Sequence, residues 1–230
     1  MARLCLCLNQ VARIRAMKKG RNPDPVAAAI AAEMAGIDGI VVQVTEERSE
    51  VSDRDVTLLK EVVQTHFNIA VPATDEMVRR AVNWAPDMVT LMPQATDADA
   101  ELPLIGEMAQ RLRESNIVVT LLITPDAQQI RAAARAQVDY VQFDTGLFSK
   151  VEDLGAMSDA VDQIRSAAIT ANKLGLGISA GRGLNPQTAR ELAENIDLIE
   201  EYNVGWAIVS RSMLVGMRKA IQDFKKIIEV

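Results

Sequence analysis

NIAVPATDEMVRRAVNW, residues Asn68 to Trp84, holds in one stretch the pattern that the rest of the chain repeats. Its short apolar run, Asn68 to Ala73, reads as a strand. Thr74 offers a hydroxyl to cap a helix, and DEMVRRAV then carries helical periodicity. Another short apolar run, Met88 to Met92, follows at once, so the order is strand, helix, strand, the unit from which parallel sheets are built. Working outward from it predicts eight strands: Arg3 to Asn9, Gly39 to Val44, Asn68 to Ala73, Met88 to Met92, Val118 to Ile123, Tyr140 to Asp144, Leu176 to Ala180 and Trp206 to Ser210.

Helix signals punctuate the gaps. Pro25 starts an alanine-rich helix that Gly36 closes, Ser52 with Asp55 resembles a capping box, and Thr124 precedes a helix with proline in its first turn. Longer helices are predicted from Met157 to Leu174 and from Ser212 to Ile228, and the acidic stretch Thr96 to Glu101 reads as a surface loop. Eight units favour a closed barrel over an open sheet, because the last strand then pairs with the first and no edge is left. The expected fold is an α/β (β/α)8 TIM barrel with additional helices, in a single domain over residues 1–230.

Charge narrows the partners. The 25 Lys and Arg against 31 Asp and Glu give a net charge of -6, which argues against a protein that grips nucleic acid through its phosphates. The densest basic segment, Arg13, Arg15, Lys18, Lys19 and Arg21, reads either as a solvated loop or as one facing an anion. Cys5 and Cys7, two apart on a strand, are poorly placed for a disulfide and read as buried reduced thiols. The N-terminus lacks the features of a signal peptide, and no apolar run reaches the ~18 residues of a membrane span. A soluble, cytoplasmic protein with no nucleic-acid or membrane partner is expected.

A barrel puts its chemistry at the carboxyl ends of its strands. That rule nominates Asn9, Gln10, Gln43, Glu46, Thr74, Gln94, Gln142, Asp144, Ser179 to Gly183 and Asn203 to Arg211. Most are uncharged. Amides orient a ligand but exchange no protons near neutral pH. The titratable candidates are Glu46, Glu47 and Asp144, each equally readable as a helix-start or strand-end residue. Gly181, Arg182 and Gly183 follow the seventh strand, and Asn203, Val204 and Gly205 are placed just before the eighth. Together they suggest a phosphate site, with Arg182 or Arg211 adding a cation, or else simple turns. His66, the one histidine of the chain, is expected at the opposite end of the barrel. No metal cluster and no GKS/T, HExxH, CxxC or GxSxG motif occurs in the sequence.

Certain segments carry a resemblance: Val11-Ala12 with Arg15, NPDPV from Asn22, Ala35-Gly36 with Asp38-Gly39-Ile40, SDRDV from Ser52, Ala180-Gly181 with Gly183-Leu184, and Asn203-Val204-Gly205. In order and spacing they resemble the pyridoxine 5'-phosphate synthase (PdxJ) family over nearly the whole chain. The resemblance implies a barrel with extra helices, assembled as dimers or an octamer. It also implies a condensation of 1-deoxy-D-xylulose 5-phosphate with 3-amino-2-oxopropyl phosphate, without metal or organic cofactor. It further implies that family acid–base groups are replaced here, Asp-His by Asn9-Gln10, a second-strand histidine by Gln43 and a glutamate by Ala70, and that a family arginine is replaced by Thr45. Glu-x-His becomes Gln142-Phe143-Asp144, and two further histidines become Arg182 and Trp206. The loop from Gln94 to Leu104 looks short, while Gly181, Gly183, Asn203 and Gly205 match and Lys18 stands in for an arginine.

The expected function is therefore a divergent, pseudoenzyme-like member that binds a phosphorylated or anionic small molecule. Its ligand-binding candidates are Asn9, Gln10, Lys18, Gln43, Thr74, Gln142, Gly181, Arg182, Gly183, Asn203, Gly205 and Trp206. The alternatives are altered chemistry using Asp144, Glu46 or Arg182, or a weak retained synthase activity. A homo-oligomer is expected, with no cofactor.

Overall fold

The computed structural model describes residues 2–47, 50–94, 98–151 and 153–229. Eight parallel strands close in sequence order: β1 (Arg3–Cys7), β2 (Gly39–Gln43), β3 (His66–Pro72), β4 (Met88–Met92), β5 (Val118–Ile123), β6 (Tyr140–Asp144), β7 (Gly177–Gly181) and β8 (Glu201–Val204). Closure runs through β1 and β8, where Arg3 lies beside Glu201 and Cys5 beside Asn203. The helices are α1 (Asn9–Met17), α2 (Pro25–Met34), α3 (Asp53–Val62), α4 (Asp75–Trp84), α5 (Ala98–Glu114), α6 (Ala127–Arg135), α7 (Leu154–Lys173), α8 (Pro186–Asn195), α9 (Trp206–Val215) and α10 (Met217–Ile228). The fold is the (β/α)8 barrel with additional helices that the repeated units predict. Among the described residues no helix is long and apolar enough to cross a membrane.

Successive strand residues alternate between the helix layer and the barrel interior. Leu4, Leu6, Ile40, Val42, Phe67, Ile69, Val71, Val89, Leu91, Val141, Phe143, Ile178 and Tyr202 are buried in the main apolar core with Ala29, Leu59, Met77, Met108, Ile164, Leu192 and Phe224 of the helices. A truncation such as Phe67→Ala there costs about 3–5 kcal/mol. The inward set is different: Cys5, Asn68, Thr90, Thr120, Gln142, Ser179, Glu201 and Asn203 are all buried. Asn203 on β8 bonds Gln142 on β6, two strands away, and that contact crosses the inside of the barrel. The interior thus mixes these polar groups with apolar residues such as Val41, Met92 and Leu122, inside an apolar sleeve.

Several predicted boundaries shift. The eighth strand is Glu201–Val204, and Trp206 to Ser210, predicted as that strand, begins α9 instead. That apolar run matched a strand in composition, but α9 is a helix that packs on α10 and buries Ile208 and Val209, a case that composition alone does not resolve. The predicted helix from Ser212 to Ile228 is two helices broken at Gly216, whose φ is +82°. Asp126, not Thr124, caps α6, leaving Pro125 outside it. Of the acidic stretch, Ala98 to Glu101 belongs to α5, while Thr96 and Asp97, with Ala95 of the predicted short loop, lie outside the described residues. The basic segment is not a loop throughout, because Arg13 and Arg15 lie on α1. The Ser52–Asp55 capping box and the Thr74 cap form as read.

Candidate functional site

A cavity of about 440 Å³ opens at the carboxyl ends of the strands. Five amides, Asn9, Gln10, Gln43, Gln142 and Asn203, line it together with Thr45, Thr90, Arg13, Glu50, Arg182, Gly183, Gly205 and Trp206. Asn9, at the start of α1, is consumed by architecture. Its Oδ1 accepts from the Gln43 backbone N–H at 2.6 Å and its Nδ2 donates to the Gln43 carbonyl at 2.8 Å, so the side chain pins α1 to the end of β2. Gln10 Oε1 is buried and without a hydrogen-bond partner.

The floor is a relay. Glu201, 1% exposed, holds Arg3 at 3.1 Å through Oε2 as an ion pair outside hydrogen-bond geometry. Its Oε1 accepts from Asn203 Nδ2 at 3.1 Å, and the same Nδ2 donates to Gln142 Oε1 at 3.1 Å. Gly181 lies close beside this relay, where a Cβ would fall 2.7 Å from Gln142 Nε2 and 3.0 Å from Asn203 Cβ and so would displace the Gln142 amide.

One wall brings an arginine beside an uncapped helix start. Arg182 and Gly183 both take positive φ, +68° and +89°, which turns the chain sharply after β7. Next to them α9 starts at Gly205 with no side-chain cap, although Asp24, Ser52, Thr74, Asp126, Asp153 and Asn185 cap other helices. The free first-turn N–H groups and the positive end of the helix macrodipole suit an anion. The Arg182 side chain, 52% exposed, contacts Asp144 through a single 3.4 Å ion pair.

The neighbouring wall, on the β1 and β2 side, holds Glu50, which the sequence reading did not nominate, and Arg13, for which an anion-facing position was one of two readings. Arg13 on α1 binds Glu50 at 2.6 Å, and Asn9 Nδ2 lies 3.5 Å from the same carboxylate. Behind them Arg15 makes two 2.7 Å hydrogen bonds to Asp55 and a 2.9 Å bond to the Glu50 carbonyl, fastening this loop to α1. Glu50 follows β2 just as Glu46 does, so the same strand-end rule was open to it; its distance along the loop hid it. Cys7 also lines the cavity, and burial pushes its thiol up, keeping it protonated.

Several sequence candidates fall outside the lining. Lys18 is exposed at the end of α1, Thr74 caps α4 and donates to Glu46 at 3.1 Å, and Asp144 accepts from Gly146 N–H at 2.8 Å. Gly181 acts beneath the lining, through Gln142. Arg211 pairs with Asp223 on α10 and takes no part. His66 sits at the amino end of β3, and burial lowers its pKa, favouring the neutral ring. Among the described residues no three His, Cys, Asp or Glu side chains gather as a metal site.

Comparison with known proteins places this geometry. The family described as "Pyridoxal phosphate biosynthesis protein PdxJ" matches residues 4–230. The chain belongs to the PdxJ family. A curated PdxJ-type relative from Geotalea daltonii, named pyridoxine 5'-phosphate synthase, is 40% identical over 238 residues, covering 100% of this chain and 99% of its own. A namesake from Geobacter metallireducens is 39% identical, with 100% and 99% covered. Among solved structures, KGPDC from Streptococcus mutans superposes with a TM-score of 0.69 at 14% identity, covering 100% of this chain and 100% of that one. The 3-keto-L-gulonate-6-phosphate decarboxylase from Vibrio cholerae gives 0.65 at 16% identity, covering 97% and 98%. At such identities these two share the barrel fold with this PdxJ-family chain.

Proposed function

We propose that this protein is a PdxJ-family member that binds a phosphorylated or otherwise anionic small molecule and no longer performs the synthase condensation. One observation carries the reading. Asn9, Gln10, Gln43, Ala70, Gln142, Arg182 and Trp206, positions at which the family resemblance implies lost acid–base groups, line one cavity, as does Thr45, where it implies a lost arginine. The family condensation needs imine formation, proton removal and loss of water, each served by a positioned acid or base. Amides, a threonine, an alanine and a guanidinium move no protons near pH 7. Asp144 and Glu46, the carboxylates nominated for altered chemistry, do not line the cavity; Asp144 accepts from the Gly146 N–H and Glu46 from the Thr74 hydroxyl. Glu50 reaches the cavity but is paired with Arg13.

The anion side rests on Arg182, Gly183 and the uncapped start of α9, which lie together on the rim. Arg182 leaves Asp144 easily, since a single 3.4 Å contact on an exposed side chain is worth little. Self-association, which the family resemblance implies, is supported by the exposed apolar side chains of Met17, Trp206, Met213 and Leu214.

Thermal unfolding in the presence of inorganic phosphate and phosphate esters tests the binding reading. A ligand at ~100 times its Kd adds about 2.7 kcal/mol, or roughly 5–10 °C for a chain of this size. Arg182→Ala is expected to remove most of that shift. No shift with any phosphate compound, or a shift that Arg182→Ala leaves intact, contradicts it. A second reading, retained synthase activity, is favoured by the 40% identity to proteins named as synthases along the full chain.

A further inference from the structure

The floor of the cavity contains an atom that an anion cannot satisfy. Asn203 is 7% exposed, and its Oδ1 is buried with no hydrogen-bond partner. An unpaired buried acceptor costs about 1–3 kcal/mol, so it persists only where something compensates or where a ligand completes it. The amide cannot relieve itself by turning over. Its Nδ2 donates to both Glu201 Oε1 and Gln142 Oε1, and the flipped amide would bring oxygen against both of those acceptors. Glu201 is the fixed point. It is buried at the closure of the barrel, paired with Arg3, and carboxylate oxygens only accept.

We infer that Glu201, which touches no ligand itself, is a positioning residue that locks Asn203 and Gln142 so that the cavity floor accepts a hydrogen bond from a hydroxyl or amine on the ligand. Gln10 Oε1, also buried and unpartnered, is a second acceptor among the residues lining the cavity. The ligand is thus two-ended: an anionic group at the Arg182 and α9 rim, and a neutral N–H or O–H donor reaching the floor. Its anionic end rests on the reading given under Proposed function, whereas the donor end rests on the Glu201 relay alone.

Calorimetric titration with three probes separates the two: glycerol 3-phosphate, which carries hydroxyl donors, n-propyl phosphate, which lacks them, and inorganic phosphate. Glycerol 3-phosphate is expected to bind on the order of tenfold or more tighter than n-propyl phosphate, from the cost of leaving the acceptor unpaired. Glu201→Gln, which frees the Asn203 amide to turn, is expected to bring that ratio close to one by weakening glycerol 3-phosphate while sparing n-propyl phosphate. Asn203→Ala, which deletes the acceptor and leaves the Arg3–Glu201 pair, is expected to do the same, and it serves where Glu201→Gln does not fold. Equal affinity of wild-type protein for the two esters overturns this inference and leaves the anion site standing. An equal loss of both esters in the variants marks Glu201 as merely structural and also overturns it. Binding of none of the three probes overturns both readings together.

Discussion

Asp55 does two jobs at one end of the barrel. It is the third residue of α3, closing the capping box with Ser52, and it is the partner of the Arg15 guanidinium. Burial alone would raise its pKa, but the Arg15 hydrogen bonds, the Ser52 hydrogen bonds and the Arg15 charge outweigh burial and hold the carboxyl below its ordinary range. A carboxyl depressed in the folded state contributes stability above its unfolded pKa and loses it as pH falls through the folded value. Asp55→Asn is therefore expected to cost about 3 kcal/mol at pH 7, with the penalty shrinking as the pH drops below about 4. Urea unfolding of both proteins at pH 7 and 3.5 measures this, and a penalty independent of pH contradicts the assignment. Sequence spacing disclosed the Ser52–Asp55 half of this arrangement because a capping box is local. The Arg15 half joins residues forty positions apart and became visible only in three dimensions. The same limit explains Glu50 and the charge on Glu201: their cationic partners, Arg13 and Arg3, are set by helix placement and by closure of the sheet, whereas Asn203 is only two residues from Glu201 on β8.

At the scale of elements, the strand-to-helix turns after β7 and β8 make the candidate anion wall. Gly183 has φ +89°, and a Cβ there would fall 2.6 Å from Ser149 Oγ. Gly183→Ala is expected to cost about 1–3 kcal/mol through backbone strain and to weaken phosphate binding by shifting the Arg182 turn. Thermal midpoints with and without phosphate read both effects, and a variant that matches wild type in each refutes the role given to this turn. The glycines themselves were legible in the sequence. Their relation to β8 was not, since Glu201–Val204 is a four-residue strand carrying Glu201 and Asn203 inward, and the apolar run after it looked more strand-like than the strand did. A barrel whose interior is polar hides short strands from periodicity, because the residues that should be apolar on both faces are apolar on one only.

For the whole molecule, eight repeats of strand and helix were enough to specify a closed barrel, and closure gathers the strand ends into one cavity. Nine of the sequence candidates, Asn9, Gln10, Gln43, Gln142, Arg182, Gly183, Asn203, Gly205 and Trp206, meet there. Lys18, Thr74, Glu46 and Asp144 do not, since a strand-end rule fixes the end of the barrel but not the direction in which a side chain leaves its loop. The central claim, the reading proposed above, is that this cavity holds a ligand without carrying protons through a ring-forming condensation, its amides and guanidinium groups being joined only by a Glu50 paired with Arg13 and a Cys7 thiol that burial keeps protonated. The most direct measurement is formation of pyridoxine 5'-phosphate by the purified protein from 1-deoxy-D-xylulose 5-phosphate and 3-amino-2-oxopropyl phosphate. No product above the uncatalysed background is expected, and turnover comparable with that of the curated synthases would contradict the claim.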